Sequence, residues 1–314
     1  MKGFLPLIAL VALGISNATE YPSVKAGGFI AGQFRYDQSE KISLSNEFKF
    51  NHLRIHIISN LSKEINGFIQ VETKTGMVLL QNAFINFIPL SSSEIRFGYI
   101  KLPFGIEAYG HPLQNPVIDI SQASKKIYRG AQDMGIHCAY EDKLAKGIVA
   151  LVNGNNGTPL DNNNWKDLVG RLALMPVSNL SFGGSFYAGK KDTAKLTTNR
   201  FGAEVNYKQG PFWLRGELLG AKDEQAGGGE IKSLGYYGVI AVRFMPSIEG
   251  VFRYDYFDAN TATGNNECFN FTLGLSYYFP AKSWNRVAIN YEIRDDRTNP
   301  ELKNLLTAQV QILF

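Results

Sequence analysis

Apolar and polar residues alternate along most of this chain. The last residues show it best. Leu306, Ala308, Val310, Ile312 and Phe314 share one phase, and Thr307, Gln309, Gln311 and Leu313 share the other. A period of two is a strand with one apolar face. Segments of this kind recur, and the pattern predicts about sixteen of them at lengths suited to tilted membrane strands: 24–36, 48–59, 65–74, 78–89, 94–102, 134–141, 145–153, 166–176, 180–190, 199–209, 212–222, 232–244, 248–257, 267–279, 284–294 and 303–314. No stretch beyond the first residues carries a helical period.

Charges keep to one phase. Arg200, Glu204, Asn206 and Lys208 oppose Phe201, Ala203, Val205 and Tyr207; Arg286, Asn290, Glu292 and Arg294 oppose Val287, Ile289, Tyr291 and Ile293; Glu249, Arg253 and Asp255 oppose Ile248, Phe252, Tyr254 and Tyr256. A Lys or Arg at the lipid midplane costs about 2–4 kcal/mol, and this phasing is what such a penalty demands. The connectors are sided as well. Every second one is short (60–64, 90–93, 142–144, 177–179, 210–211, 245–247, 281–283), and the others are mostly longer and polar (37–47, 154–165, 191–198, 223–231, 258–266, 295–302). Two depart from that rule: 75–77 is short and 103–133 is very long. The sequence therefore predicts an all-β, transmembrane antiparallel β-barrel of about sixteen strands, with short turns on one side and loops on the other. A chain ending on an outward aromatic strand resembles the last strand of a bacterial outer-membrane barrel, and Phe314 is then the C-terminal signal read by the assembly machinery. Tyr36, Phe87, Tyr99, Tyr187, Tyr207, Tyr256, Tyr277, Tyr278 and Phe279 lie near strand ends, as interfacial girdle residues or as ordinary strand formers.

Composition changes this picture little. Mean hydropathy is slightly negative, which suits a wall that alternates lipid-facing and lumen-facing residues. The N-terminus reads as an export signal over residues 1–18: Lys2, an apolar run from Leu5 to Ile15, and Ser16-Asn17-Ala18 as the cleavage site. Residues 19–314 then form the barrel domain. The formal charge of +4 includes Lys2 and gives no concentrated basic face of the kind a nucleic-acid partner requires. Cys138 falls in the apolar phase and Cys268 in the polar phase. Cysteines on opposite faces of a wall cannot meet, so both are expected to be free. No G-x-S-x-G or H-E-x-x-H pattern surrounds His52, His56, His111 or His137, and neither an enzyme activity nor a metal or other cofactor is expected.

Three segments carry a family resemblance. Ile95-Arg96-Phe97-Gly98-Tyr99-Ile100-Lys101-Leu102-Pro103-Phe104-Gly105-Ile106-Glu107 resembles the R-x-G-x-x-K-x-P-F-G-x-E signature of the phosphate-selective porin O and P family. Leu80-Gln81-Asn82-Ala83-Phe84-Ile85-Asn86-Phe87 is similar to the strand before it, and Arg253-Tyr254-Asp255-Tyr256-Phe257-Asp258 to a late strand. The order and spacing match over nearly the whole mature chain. The resemblance implies a trimeric outer-membrane porin whose third loop folds inward, and 103–133 is that loop.

On this basis the chain is expected to be a passive diffusion channel for small hydrophilic solutes with a modest preference for anions such as phosphate. The alternative is a closed or narrow barrel serving as an assembly or adhesion subunit. Loop residues Lys125, Lys126 and Arg129, with Lys101 just before the loop, are the candidate anion path, since basic rings lower the barrier for an entering anion. Glu107, Asp119 and Asp133 in the same loop temper it. Wall candidates by phase are Arg35, Arg54, Arg96, Arg171, Arg200, Arg215, Arg243, Arg253 and Arg286, with His52 and His56 in the phase of Arg54. Two readings of these arginines stand. They select ions, or they pair with the inward acids Glu72, Glu94, Glu204, Glu217, Asp255 and Glu292 and fix the wall.

Overall fold

A computed structural model describes residues 21–39, 46–74, 77–128, 132–155, 157, 160–161, 163–191, 194–279 and 284–314. The export signal and Arg129 lie outside the described residues. Sixteen strands follow one another: β1 (Ser23–Asp37), β2 (Asn46–Asn60), β3 (Ile65–Lys74), β4 (Met77–Leu90), β5 (Ser93–Lys101), β6 (Gln132–Glu141), β7 (Ala145–Val152), β8 (Asp167–Val177), β9 (Leu180–Lys191), β10 (Leu196–Gln209), β11 (Phe212–Glu224), β12 (Glu230–Met245), β13 (Ile248–Asp258), β14 (Glu267–Tyr278), β15 (Arg286–Asp296) and β16 (Leu305–Leu313). Each pairs antiparallel with the next, and β1 pairs with β16 to close the barrel. Closure leaves no sheet edge, the condition a strand wall must meet in lipid.

The two phases become the two faces. Val310, Ile312 and Phe314 are exposed on the outside, while Thr307, Gln309 and Gln311 are buried in the lumen. Phe201 and Val205 point out, and Glu204 between them is buried. Cys138 is exposed, Cys268 is buried, and both are free. Of the aromatic residues near strand ends, Tyr36, Phe87 and Tyr277 are exposed, but Tyr99, Tyr187 and Tyr278 are buried. Tyr187 and Tyr278 are drawn inward by polar partners, the hydroxyl of Tyr187 donating to Asp167 and that of Tyr278 to Glu249.

The long connector between β5 and β6 enters the barrel. It adds helical pieces that no period in the sequence announced: α1 (Ile106–Tyr109), a single 3-10 turn (Pro112–Gln114) and α2 (Gln122–Ile127). Pieces this short are not stable alone and take their order from the wall they pack on. Leu102, Phe104, Ile127 and Tyr128 bury against Ala150, Val152, Val169, Tyr187 and Leu219. Val117 packs with Tyr237 and Val239, and Leu113 with Phe29 and Ala31. Thus the apolar core of the molecule is the seat of this loop.

Candidate functional site

The loop leaves β5 through Pro103-Phe104-Gly105. Gly105 has φ +68°, and a Cβ there would stand 2.9 Å from Glu217 Oε1. Only glycine allows both the turn and that approach. Glu217, on the β11 wall, accepts from the backbone N–H groups of Ile106 at 2.6 Å and Glu107 at 3.1 Å, capping α1 from across the lumen. Glu107 then reaches forward: one carboxylate oxygen accepts from the Ser121 N–H (2.9 Å), the Ser121 hydroxyl (2.7 Å) and the Ser124 hydroxyl (2.8 Å). It ties α1 to α2, whose own N-terminus is capped by the Ser121 side chain.

From α1 the loop crosses the barrel. The His111 ring sits 4.9 Å from Phe29 and 5.1 Å from Trp284. Burial, with Arg54 and Lys101 nearby, pushes the His111 pKa down to about 4, so the ring is neutral at pH 7. Arg286 donates to the carbonyls of Asn115 (2.5 Å) and Pro116, and Arg215 to the Asn115 side chain (2.9 Å). Asp119 accepts from Arg35 at 2.8 Å, and Arg253 donates to its carbonyl. The positive charges of Lys125, Arg35 and Arg253 hold the Asp119 carboxyl below its usual range, against the opposing effect of burial. α2 finally packs on β11, β12 and β13. Gly235 of β12 is the contact point, where a Cβ would lie 2.7 Å from that of Ala123.

The nine wall arginines therefore divide. Arg54 meets Glu72 (2.9 Å), Arg96 meets Glu94 (2.7 Å), Arg171 meets Glu204 (2.9 Å), and Arg243 meets Glu249 (3.3 Å). Arg253 lies between Asp255 (3.0 Å) and Glu292 (3.2 Å). Arg200 meets Asp223 and also donates to the Ile127 carbonyl. Five of them (Arg35, Arg200, Arg215, Arg253 and Arg286) contact the inward loop.

Arg54 and Arg96 stand elsewhere. The loop packs along β7–β16 and β1 and leaves an opening between Tyr109–Pro112 and the wall of β2–β5. This opening has a volume of about 500 Å³. Among the described residues its cations are Arg54, Arg96 and Lys101, and none of those lining it is a carboxylate. Glu72, the partner of Arg54, is 2% exposed, whereas Arg54 is 13% exposed, so the cation is the better presented of the pair. Lys101 donates to the Gly110 carbonyl at 2.9 Å. Lys125 and Lys126 line no part of this opening. Lys125 stands 4.0 Å from Asp119, and Lys126 is exposed on α2.

Other lining residues had no place among the sequence candidates. They include His111, Tyr109, Phe68, Phe84 and Ile58, with Asn66, Gln70, Asn82 and Asn86. A signal for three of them was present. Ile58 shares the phase of His56, Phe68 that of Gln70, and Phe84 that of Asn82 and Asn86, and an apolar residue in the polar phase of a barrel strand faces the lumen. Tyr109 and His111 are placed by the course of the loop, for which the alternation carries no information.

Solved structures share this architecture. OmpT of Vibrio cholerae in its trimer form superposes with a TM-score of 0.73 at 12% identity, covering 94% of this chain and all of that one. The anion-selective porin from Comamonas acidovorans gives 0.69 at 13% identity, over 93% and 99%. The outer-membrane channel DcaP of Acinetobacter baumannii gives 0.68 at 11% identity, over 96% and 100%. At these identities the likeness is one of fold alone, that of a β-barrel. No protein-family model matches the chain, and no curated protein matches it in sequence.

Proposed function

We propose that the chain is an outer-membrane porin, a passive channel for small hydrophilic solutes with a modest preference for anions. The observation that carries this is the opening beside the loop, lined among the described residues by Arg54, Arg96 and Lys101 and by no carboxylate. Cations fixed at a narrow, partly dehydrated passage favour anions and oppose cations. The preference is modest because Arg54 and Arg96 each pair with a carboxylate, and Glu94 is as exposed as Arg96. In this reading Lys101 with Arg54 and Arg96 forms the narrow part of the path, and Lys125, Lys126 and Arg129 add charge along the loop. The remaining wall arginines contribute to the lumen field while bracing the loop or the wall. Residues 1–18 are the export signal, and the barrel is delivered to the outer membrane as a homotrimer by way of Phe314. The motif segments favour the phosphate-selective O and P family, and one fold neighbour is itself described as anion-selective.

The test is the zero-current potential of the refolded protein in a planar bilayer under a potassium chloride gradient. An anion-selective potential is expected. Lys101→Glu should reduce or reverse it, and should do so more than the pair Lys125→Glu/Lys126→Glu. Lys101 lines the opening, and charges farther off than the Debye length of about 8 Å are largely screened at physiological salt. A cation-selective pore would sink the anion preference. Absence of any conductance would move the chain to the closed-barrel role in assembly or adhesion.

A further inference from the structure

The lumenal wall of β2–β5 holds a feature that a simple ion path does not need. Ile58, Phe68, Phe84 and Gly98 are directly opposed on four neighbouring strands. Ile58, Phe68 and Phe84 line the opening. The Phe68 and Phe84 rings stack at 5.1 Å, the His56 ring continues the stack at 5.6 Å, and the Arg96 guanidinium lies 4.7 Å from the Phe84 centroid. Gly98 (φ +143°) makes room for this row, since a Cβ there would stand 2.9 Å from that of Phe84. Amide side chains run along both sides, Asn66 and Asn86 on one and Gln70 and Asn82 on the other.

We infer that this wall is a binding subsite for small aromatic carboxylates, an inference that rests on the anion-preferring channel proposed above. The two halves of such a ligand find different partners here. The carboxylate meets Arg54, Arg96 and Lys101, with amide N–H groups beside them. The ring lies against the Phe68–Phe84 row, where aromatic contacts add to the burial of apolar area. An inorganic anion engages only the cations and leaves the aromatic row wetted, and a neutral sugar engages the amides and adds no anionic ligand to the cations beyond Glu72 and Glu94. A volume of about 500 Å³ suits a molecule of one or two rings.

The test compares benzoate with cyclohexanecarboxylate, which matches it in charge and nearly in size but has no π face. Permeability ratios are read from zero-current potentials of the refolded channel under gradients of each potassium salt. Benzoate is expected to be favoured by roughly two- to tenfold, the range one aromatic contact supplies. The ratio should fall towards one in Phe68→Leu/Phe84→Leu, whereas Arg96→Gln should lower both carboxylates together. Equal permeabilities in the unmodified channel would overturn the inference while leaving the anion preference standing. A ratio unchanged in the double leucine variant would also overturn it, by placing the discrimination elsewhere. A failed anion preference shows separately, in potassium chloride alone.

Discussion

Glu107 shows how one side chain sets the shape of the passage. It is 4% exposed, its Oε2 accepts three hydrogen bonds from α2 and its cap, and its Oε1 lies 3.8 Å from Arg253. Hydrogen bonds to a charged acceptor are each worth about 1.5–3 kcal/mol, and removing one partner of a buried ion pair leaves the other uncompensated. Glu107→Gln should therefore weaken loop docking by about 2–4 kcal/mol. Single-channel recordings should show larger and more variable conductance, with the heat-modifiable mobility of the barrel on gels unchanged. A steady trace of unaltered amplitude would show that the loop is held without this carboxylate. In the sequence Glu107 was legible as part of a motif and as a negative charge opposing anions, but not as a hub. Its partners explain why. Ser121 and Ser124 follow it by 14 and 17 positions, and Glu217, which caps the same turn, follows by 110. The arginines were legible by phase as lumen-facing for the same reason that Glu107 was opaque: phase fixes the face and says nothing of the partner.

At the scale of elements the strands were legible because each carries its own evidence. An apolar outer face and a polar lumen write a period of two into every segment. The register agrees with it between β10 and β11 and between β13 and β14, where Glu204 opposes Glu217 and Asp255 opposes Asn270 in the lumen. The inward loop obeys no such rule. α2 spans six residues, too few to show a helical period, and its apolar residues Ala123 and Ile127 are selected by the wall of β11–β13. Its position depends on the absence of a side chain at Gly235. Gly235→Val should push α2 off β12, since Ala123 Cβ would be met at 2.7 Å and the helix backbone is as near as 3.0 Å. The expected result is a barrel that still folds but whose loop is cut by added protease at sites between Gln122 and Tyr128 that resist in the unmodified protein. Equal resistance would mean that the anchors at Asn115 and Asp119 hold the loop without its second helix.

At the scale of the whole molecule, the chain must find its own first strand with its last. β1 and β16 meet across nine opposed positions, from Phe29↔Leu313 to Asp37↔Leu305. Phe314 adds one more step: its N–H donates to the Gly28 carbonyl at 3.0 Å, and its carbonyl accepts from the Gly28 N–H at 2.9 Å. Its ring stays outside, 56% exposed, on the face that lipid covers in the porin reading. The residue thus has a small structural share, two backbone bonds beside a long ladder, and a side chain presented where a recognising partner could reach it. These two roles separate by experiment. Removal of Phe314 leaves all nine opposed positions, so the shortened chain should refold in detergent micelles to the same heat-modifiable species as the full chain. In cells that assemble outer-membrane barrels the same deletion should lower the amount of folded protein in the outer membrane several-fold, because the terminal aromatic is what the assembly machinery would read. If refolding in micelles fails as well, the Gly28 pairing is needed to close the barrel and Phe314 acts through the fold. If both yields are unchanged, the terminal residue carries no signal, and recognition must fall on the outward residues before it, Val310 and Ile312.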